Sequence, residues 1–197
     1  REQFGRPIGS FEIIQRKFAV AAVECYAADS GAMLAAGMVD RGGVDFSLET
    51  AACKVFASEL AFRASNEALQ IAGGIGYSKE FPYEQAVRDS RINLIFEGTN
   101  EILRCFVALS GMQGPGKALA EVVKAMREPI KGFGLLSDFA VRKARTVLGR
   151  ERLTRAHPLL SREAVIFEEF TGELASNTEL VLRKHGKEIA EMQYTQK

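Results

Sequence analysis

The chain has 197 residues, enough to bury a core in one domain or one and a half. With 47% hydrophobic residues, 26% charged residues and a net charge of +1, it has the composition of an ordinary globular protein, and the charge gives no electrostatic case for nucleic-acid binding. Residues 1–110 carry −3 (11 Lys and Arg against 14 Asp and Glu) and residues 111–197 carry +4 (15 against 11).

Further limits on the class of protein come from hydropathy, the cysteines and the chain ends. No apolar run appears long enough to span a membrane, and no signal or transit peptide is visible. The three cysteines, Cys25, Cys53 and Cys105, are far apart in apolar helical patterns, which predicts buried thiols rather than disulfides or metal ligands. Because the chain opens at Arg1 in polar sequence and stops at Lys197 inside a helical pattern, we expect it to be part of a longer protein.

Apolar periodicity predicts that the chain is almost entirely helical. A first helix is expected over 11–38, ended by Gly42-Gly43. Ser47 is a plausible N-cap for a second long helix, which ends at Gly73-Gly74. Residues 75–81 then form a connector.

Two further helices complete the first half of the chain. Pro82 suits the first position of a third helix, which runs to about Leu94, and a fourth begins near Thr99. Four helices with short connections predict an antiparallel four-helix bundle over residues 1–111.

The glycines and proline of 111–116 predict a boundary between this bundle and a smaller helical extension over 112–197. The extension is expected to hold shorter helices near 116–127 and 135–149, and a last helix capped by Ser161. His157 and His185 are expected to be surface or packing residues, and no set of side chains with metal-ligand spacing is present.

Glu97 is the most informative residue, because it stands between apolar residues and a Gly-Thr-Asn turn. A carboxylate that loses hydration in apolar surroundings becomes a stronger base, and the glycine beside it allows a ligand to approach the backbone. The pattern predicts a proton-abstraction site. Taken alone, Glu97 is better explained as a carboxylate that stabilises a helix N-terminus.

Three other segments, taken with the one around Glu97, favour the proton-abstraction site over the helix-terminus explanation. In chain order, the four are Arg1-Glu2-Gln3-Phe4-Gly5, Gln70-Ile71-Ala72-Gly73-Gly74-Ile75-Gly76-Tyr77, Arg88-Asp89-Ser90-Arg91-Ile92 and Ile95-Phe96-Glu97-Gly98-Thr99-Asn100-Glu101-Ile102. Together they resemble the C-terminal helical domain of the acyl-CoA dehydrogenases over residues 1 to about 111. The remainder resembles part of the C-terminal extension found in the very-long-chain members and in their relative that assists assembly of respiratory complex I.

The resemblance implies an FAD-dependent oxidation of a fatty acyl-CoA, long-chain in view of the extension, to the trans-2-enoyl-CoA. Glu97 would remove the α-proton, the β-hydride would pass to N5 of FAD, and electron-transferring flavoprotein would collect the electrons. The family forms homodimers and tetramers. We therefore expect an enzyme of the cytoplasm if bacterial, or of the mitochondrial matrix or inner-membrane surface if eukaryotic, and expect residues 1–197 alone to self-associate, to hold FAD weakly and to be inactive.

The resemblance also assigns roles to particular residues. It implies cofactor binding by Arg1, Gln3, Gln70, Gly73, Gly74, Thr99 and Asn100, and it places Phe96 and Gly98 in the acyl-thioester pocket. Arginine suits a diphosphate because its planar fork makes paired hydrogen bonds. Each assignment has a plainer alternative: a solvated Arg1, a helix end at Gly73-Gly74, and N-capping by Thr99 and Asn100.

Three further expectations remain. We expect Arg88, Asp89 and Arg91 to form an ion-pair network that fixes the Glu97 loop. A basic stretch over 142–155 is either a solvated face or a contact for anionic lipid headgroups. The alternative to an enzyme is an assembly or scaffold protein on the same fold with a secondary enzymatic role; a helical DNA-binding module is disfavoured because the basic content is weak.

Overall fold

The computed structural model describes residues 1–127 and 156–192, together with positions 134–135, 137–138, 140–141 and 153. This part of the chain is almost wholly α-helical, which confirms the all-α prediction. Its α-helices are α1 (Glu12–Arg41), α2 (Ser47–Ala72), α3 (Gly74–Tyr77), α4 (Tyr83–Ile92), α5 (Asn100–Arg127) and α6 (Ser161–His185). The chain divides into two compact units between Ala108 and Leu109.

A short hairpin precedes the first helix. Strands β1 (Glu2–Gln3) and β2 (Arg6–Pro7) pair antiparallel around Phe4 and Gly5, whose φ angles are 54° and 75°. Positive φ at both central residues is the signature of the tightest hairpin turns. The sequence pattern does not predict this hairpin, because strands of two residues are too short to show alternation. A 3-10 turn over Ile8–Ser10 then leads into α1.

Helices α1 and α2 are the two long helices expected, and they run antiparallel. Two ion pairs join them in that direction, Lys17–Glu67 and Glu24–Arg63. A Cβ on Gly31 of α1 would lie 3.2 Å from the Cys53 Sγ of α2, so the glycine permits close approach of the helices. Helix α2 also packs against α3 and α4, which makes it the centre of the first unit.

The start of α2 differs from the expectation that Ser47 is its N-cap. The Asp45 carboxylate accepts hydrogen bonds from Ser47 N at 3.0 Å and Ser47 Oγ at 2.6 Å, and Ser47 is already helical. These hydrogen bonds from Ser47 hold the pKa of Asp45 below its usual value. Phe46 is therefore the N-cap of α2, and Asp45 satisfies the N–H of Ser47, one of the free donors of the first helical turn.

The connector expected over 75–81 is partly helical. Gly73, with φ of 70°, ends α2, and the chain turns at once into α3. Gly76 is buried in that turn, and a Cβ there would lie 2.6 Å from the Leu69 carbonyl oxygen. Helix α4 begins directly after Pro82, which is its N-cap rather than its predicted first residue, and it ends at Ile92, two residues before the expected end.

The core of the first unit consists mainly of small and medium aliphatic side chains on α1 and α2. Its buried hydrophobic residues are Ala35, Ala51, Val55 and Leu60. Helices α2 and α5 run parallel where they meet, because Glu59 bonds Arg104 as Lys54 bonds Asn100. In a bundle whose consecutive helices alternate in direction, the second and fourth helices are parallel.

Helix α5 runs without a break through residues 111–116, so the predicted end of the fourth helix there is wrong. Met112, Gly116, Leu119 and Val122 lie on one face and are half-buried or buried. Such packing outweighs the low helix propensity of glycine and one internal proline, since most helical stability in proteins comes from tertiary contacts.

The second unit contains α6, whose start also differs from the prediction. Ser161 lies inside the helix rather than capping it, and the 3-10 turn Pro158–Leu160 precedes it. His157 Nδ1 accepts a hydrogen bond from Leu159 N at 3.3 Å, so His157 caps that turn. A 3-10 segment, Gly186–Glu191, follows α6 and buries Ile189. Most of the helix predicted over 135–149, and all six basic residues of 142–155, lie outside the described residues.

Helix α1 differs from two expectations, that the chain has no segment able to span a membrane and that its cysteines are buried. By length and composition it could cross a membrane, whereas the sequence reading found no such segment. We interpret it as a bundle helix because its charged side chains pair with α2. Its exposed face carries large apolar residues, among them Phe18, Val23, Tyr26, Met33 and Leu34. All three cysteines are free thiols, but none is buried as predicted: Cys25 on α1 is exposed, and Cys53 and Cys105 are half-buried.

Candidate functional site

The loop over residues 93–99, called here the Glu97 loop, has an unusual backbone at its centre. Glu97 has φ of 54° and Gly98 has φ of 90°. The left-handed conformation costs a residue with a Cβ about 1–2 kcal/mol, and such strain is found preferentially at functional sites. Glycine adopts this conformation freely, which accounts for Gly98 but not for Glu97.

The side chain of Glu97 is exposed, and so is Phe96. The apolar shielding predicted for Glu97 is therefore not supplied by its neighbours within the described residues. Beside it, Gly98 leaves little room: an added Cβ would lie 3.3 Å from Leu103 Cδ2. The loop thus presents a carboxylate at the surface on a tightly packed backbone.

Lys54 of α2 ties down the end of this loop. Its Nζ donates to the Gly98 carbonyl oxygen at 2.7 Å and to Asn100 Oδ1 at 2.8 Å. The loop is also closed on itself by a hydrogen bond of 3.1 Å from Asn100 N to the Leu94 carbonyl. The residue that follows Glu97 and the first residue of α5 are therefore held by the same ammonium group.

Asn100 connects that ammonium group to the interior. The residue is only 3% exposed, and its Nδ2 donates to Ser58 Oγ at 2.9 Å and to Glu59 Oε1 at 3.4 Å. Glu59 in turn accepts from Arg104 Nη2 at 2.6 and 2.7 Å. We call these side chains, with Lys54, Ser58 and Gly98, the Lys54 network. The Asn100 side chain is thus hydrogen-bonded inside the protein through both its oxygen and its nitrogen.

Thr99 acts as an N-cap of α5, which is the role that the sequence offered as an alternative to cofactor binding. Ile102 N donates to Thr99 Oγ1 at 3.4 Å, and Leu103 N donates to the Thr99 carbonyl at 3.0 Å. The side chain is half-buried and faces the first turn of the helix. Capping does not prevent a further contact through the other lone pair of the hydroxyl.

The predicted ion-pair network of Arg88, Asp89 and Arg91 does not hold the Glu97 loop. Arg88 pairs with Glu84 one turn earlier in α4, at 2.8 Å, and Arg91 lies 5.8 Å from the centroid of the Phe62 ring. The spacing of Arg88 and Glu84, four residues apart, favours a pair on one helix face over a contact with the loop. The hydrogen bond from Arg88 also lowers the pKa of Glu84 from its usual value.

A second group of predicted residues meets at the C-terminal end of α2, which we call the Arg1 corner. Arg1 Nη1 donates to the Ala72 carbonyl at 2.7 Å. It lies so close to Gly73 that a Cβ there would be 2.0 Å from the same nitrogen. Gly74 is open, with no atom within 4 Å of an added Cβ. The predicted residues here, Arg1, Gln3, Gln70 and Gly74, are exposed.

The structure therefore divides the predicted site residues between two places. Ser58 in the Lys54 network and Ala72 in the Arg1 corner are separated by fourteen residues of α2, about 21 Å of helix. An exposed guanidinium beside glycine backbone suits a diphosphate from outside the chain. The Glu97 loop lies too far along α2 to share one phosphate group with it.

Sequence reasoning missed Lys54, Ser58, Glu59 and Arg104. Lys54 and Ser58 are four residues apart and so share a face of α2, with Ala51 and Val55 on the same side. Polar residues on an otherwise apolar helix face are the signal that could have found them. Nothing in the sequence indicates which loop they bond. No group of three His, Cys, Asp or Glu side chains able to hold a metal ion occurs in the part of the chain that the structure describes.

Comparison with known proteins places these features in a family. Residues 1–112 match the sequence profile described as acyl-CoA dehydrogenase, C-terminal domain. The very long-chain specific acyl-CoA dehydrogenase of rat mitochondria is 39% identical over 198 residues, covering 98% of this chain and 30% of that protein. The chain thus spans about 30% of the length of the curated relatives that it matches along its whole length.

Two solved structures extend the similarity. An acyl-CoA dehydrogenase from Bacillus anthracis, complexed with FAD, matches 98% of this chain and 34% of its own length, with a TM-score of 0.74 and 27% identity. A chain from work on the electron transferring flavoprotein of Acidaminococcus fermentans matches 57% of this chain and 30% of its own, with a TM-score of 0.55 and 35% identity. The chain therefore belongs to the acyl-CoA dehydrogenase family, within which it resembles the very-long-chain type.

Proposed function

We propose that the protein containing this chain oxidises a long-chain fatty acyl-CoA to the trans-2-enoyl-CoA, with Glu97 as the base that removes the α-proton. The observation that carries the proposal is the strained backbone of Glu97 on a loop fixed by internal hydrogen bonds. A carboxylate on a preorganised loop can be placed within hydrogen-bond reach of a substrate carbon without further ordering.

Proton removal next to a thioester needs a base that is shielded from water and a donor for the developing enolate oxygen. Glu97 and Phe96 are exposed here, so we propose that bound substrate and FAD, with protein surface beyond the described residues, provide the shielding. Phe96 and Gly98 would then line the pocket for the acyl thioester. Backbone N–H groups near Glu97 are the candidate donors to the enolate oxygen.

The predicted cofactor-binding residues fall into two groups, one at the Glu97 loop and one at the Arg1 corner. FAD, when bound, supplies the hydride acceptor at N5, and electron-transferring flavoprotein is the proposed electron acceptor. Thr99 would contact the FAD beside Glu97. Arg1, with Gln3, Gln70 and Gly74, would hold the diphosphate of a second FAD belonging to a neighbouring copy, because the Arg1 corner is about 21 Å along α2 from the Lys54 network.

A homodimer or tetramer follows from this arrangement, and the exposed apolar face of α1 offers surface for it. The length of the acyl chain is proposed from the names of the relatives, which act as very long-chain specific enzymes. The curated relatives include mitochondrial and bacterial proteins.

The test is replacement of Glu97 by Gln in the FAD-loaded enzyme. Loss of the general base should lower the rate of palmitoyl-CoA dehydrogenation by about 100-fold or more, measured with an electron-acceptor dye, while the flavin absorbance is unchanged. Glu101→Gln is the matched control, since Glu101 is an exposed carboxylate four residues further on. A Glu97→Gln enzyme with unimpaired activity would refute the proposal. A wild-type protein that binds FAD without dehydrogenating any acyl-CoA would favour the assembly-protein alternative.

A further inference from the structure

We propose that Lys54 is a positioning residue for Glu97, an inference that rests on the proposed function of Glu97. Lys54 would act by holding the carbonyl of Gly98, the residue after Glu97. The Glu97 backbone would then stay in the left-handed conformation in which the loop presents its carboxylate. Nothing in the sequence motifs that identify the family site points to this lysine.

The first step of the argument is that the conformation needs an external restraint. Glu97 has a positive φ, which is sterically unfavourable for any residue with a Cβ. An unrestrained chain would relax to a negative φ, so the surrounding structure must hold Glu97 in this conformation. The loop has seven residues between α4 and α5. Ile95 N and Phe96 N donate to the Ile92 carbonyl, and Asn100 N donates to the Leu94 carbonyl, but none of these bonds involves a backbone group of Glu97 or Gly98. Because this last bond joins residues on either side of Glu97 and Gly98, movement of those two residues would strain it.

The second step is that Lys54 supplies the restraint from another helix. Its hydrogen bond to the Gly98 carbonyl is short, 2.7 Å, and a charged donor makes it stronger than a bond between neutral groups. The second bond, to Asn100 Oδ1 at 2.8 Å, fixes the direction of the ammonium group. A change in the Glu97 backbone that displaces Gly98 would lengthen the bond from Lys54 to the Gly98 carbonyl.

The third step is that Lys54 is itself held. Its acceptor Asn100 is buried and bonded to Ser58 and Glu59, and Arg104 holds Glu59 with both carboxylate oxygens. Both acceptors of Lys54 are uncharged amide oxygens, so the bonds to the loop do not compete with an ion pair inside the Lys54 network. The lysine is half-buried on α2, the central helix of the unit.

Amide hydrogen exchange in the full 197-residue chain tests the restraint without reference to activity. Lys54→Met keeps the stem and removes the donors, and it should speed exchange of the Asn100 amide about tenfold. Lys54→Arg should restore most of the protection, because a guanidinium can reach both acceptors. Lys17→Met is the matched control: it also removes a lysine that links two helices, in this case α1 and α2, and it should leave the Asn100 amide unchanged.

Kinetics in the FAD-loaded enzyme then separate positioning from stability. Lys54→Met should lower kcat about 10- to 100-fold with KM for palmitoyl-CoA and the flavin spectrum little changed, and Lys54→Arg should recover most of the rate. Unchanged exchange at Asn100, or faster exchange with an unchanged kcat well below the melting temperature, would overturn the inference. If Glu97→Gln retains activity, the proposed function fails instead, and the exchange data alone then decide whether Lys54 restrains the loop.

Discussion

Near Lys54, helix α2 meets the Glu97 loop through side chains that are buried or half-buried and bond one another, whereas at Ala72 the same helix meets Arg1 through one exposed hydrogen bond. At the first place the polar groups are satisfied inside the chain. At the second, Arg1, Gln3 and Gln70 are exposed, and Arg1 keeps one hydrogen bond, to the Ala72 carbonyl. The difference indicates that α2 holds the Glu97 loop through buried contacts near Lys54 and leaves polar side chains accessible at its other end.

The largest expected effect is on the buried side of this comparison. Asn100→Ala should lower the free energy of unfolding by about 3 kcal/mol, since it removes the buried side-chain hydrogen bonds from Asn100 to Lys54, Ser58 and Glu59. Chemical denaturation followed by circular dichroism measures the loss. Arg1→Ala is the counterpart at the other end of α2, and it should cost less than about 1 kcal/mol because its hydrogen bond is exposed. Equal losses for the two variants would show that the ends of α2 do not differ as described.

A second prediction concerns the turn that sets the direction of the chain beyond the Arg1 corner. Gly76→Ala should lower the free energy of unfolding by about 1–3 kcal/mol, because the new Cβ would lie 2.6 Å from the Leu69 carbonyl oxygen and 2.8 Å from Ala72 Cβ. Thermal unfolding of the full chain measures the change. Gly74→Ala, two residues earlier, has nothing within 4 Å of the new Cβ and should be close to neutral. If Gly74→Ala were the more damaging variant, the close contact would lie at Gly74 rather than at Gly76.

The sequence was informative where a local pattern determines the structure. The helical periodicity of α1 and α2, Pro82 before α4 and glycine after α1 and α2 each predicted an element or its end close to the observed position. These features depend on residues within a turn or two of one another. The four short motifs identified the family for the same reason, since each is contiguous.

Where the sequence failed, the deciding contact came from elsewhere in the chain. Helix α5 continues through 111–116 because one of its faces packs, although the local glycines favour a break. Helix α2 begins at Ser47 after Phe46, and Asp45 accepts the Ser47 N–H, an arrangement that depends on backbone geometry beyond the residue types. The restraint on the Glu97 loop comes from Lys54, forty-three residues earlier in the chain, and no spacing rule relates them.

The smallest expected effect tests the ion-pair network that the sequence suggested. Arg88→Ala removes the hydrogen bond that lowers the pKa of Glu84, so that pKa should move back up toward its usual value. Because a depressed carboxyl pKa contributes stability above the unfolded value and loses it as pH falls through the folded one, wild type and variant should converge in stability in acid. Carboxyl NMR titration of Glu84 measures the shift. Exchange of the Asn100 amide should stay at its wild-type rate, because Arg88 bonds along α4 and does not reach the Glu97 loop. If Arg88→Ala speeds exchange at Asn100 as much as is expected for Lys54→Met, the Glu97 loop is restrained by α4. The assignment of that role to Lys54, and with it the contrast between the two ends of α2, would then be wrong.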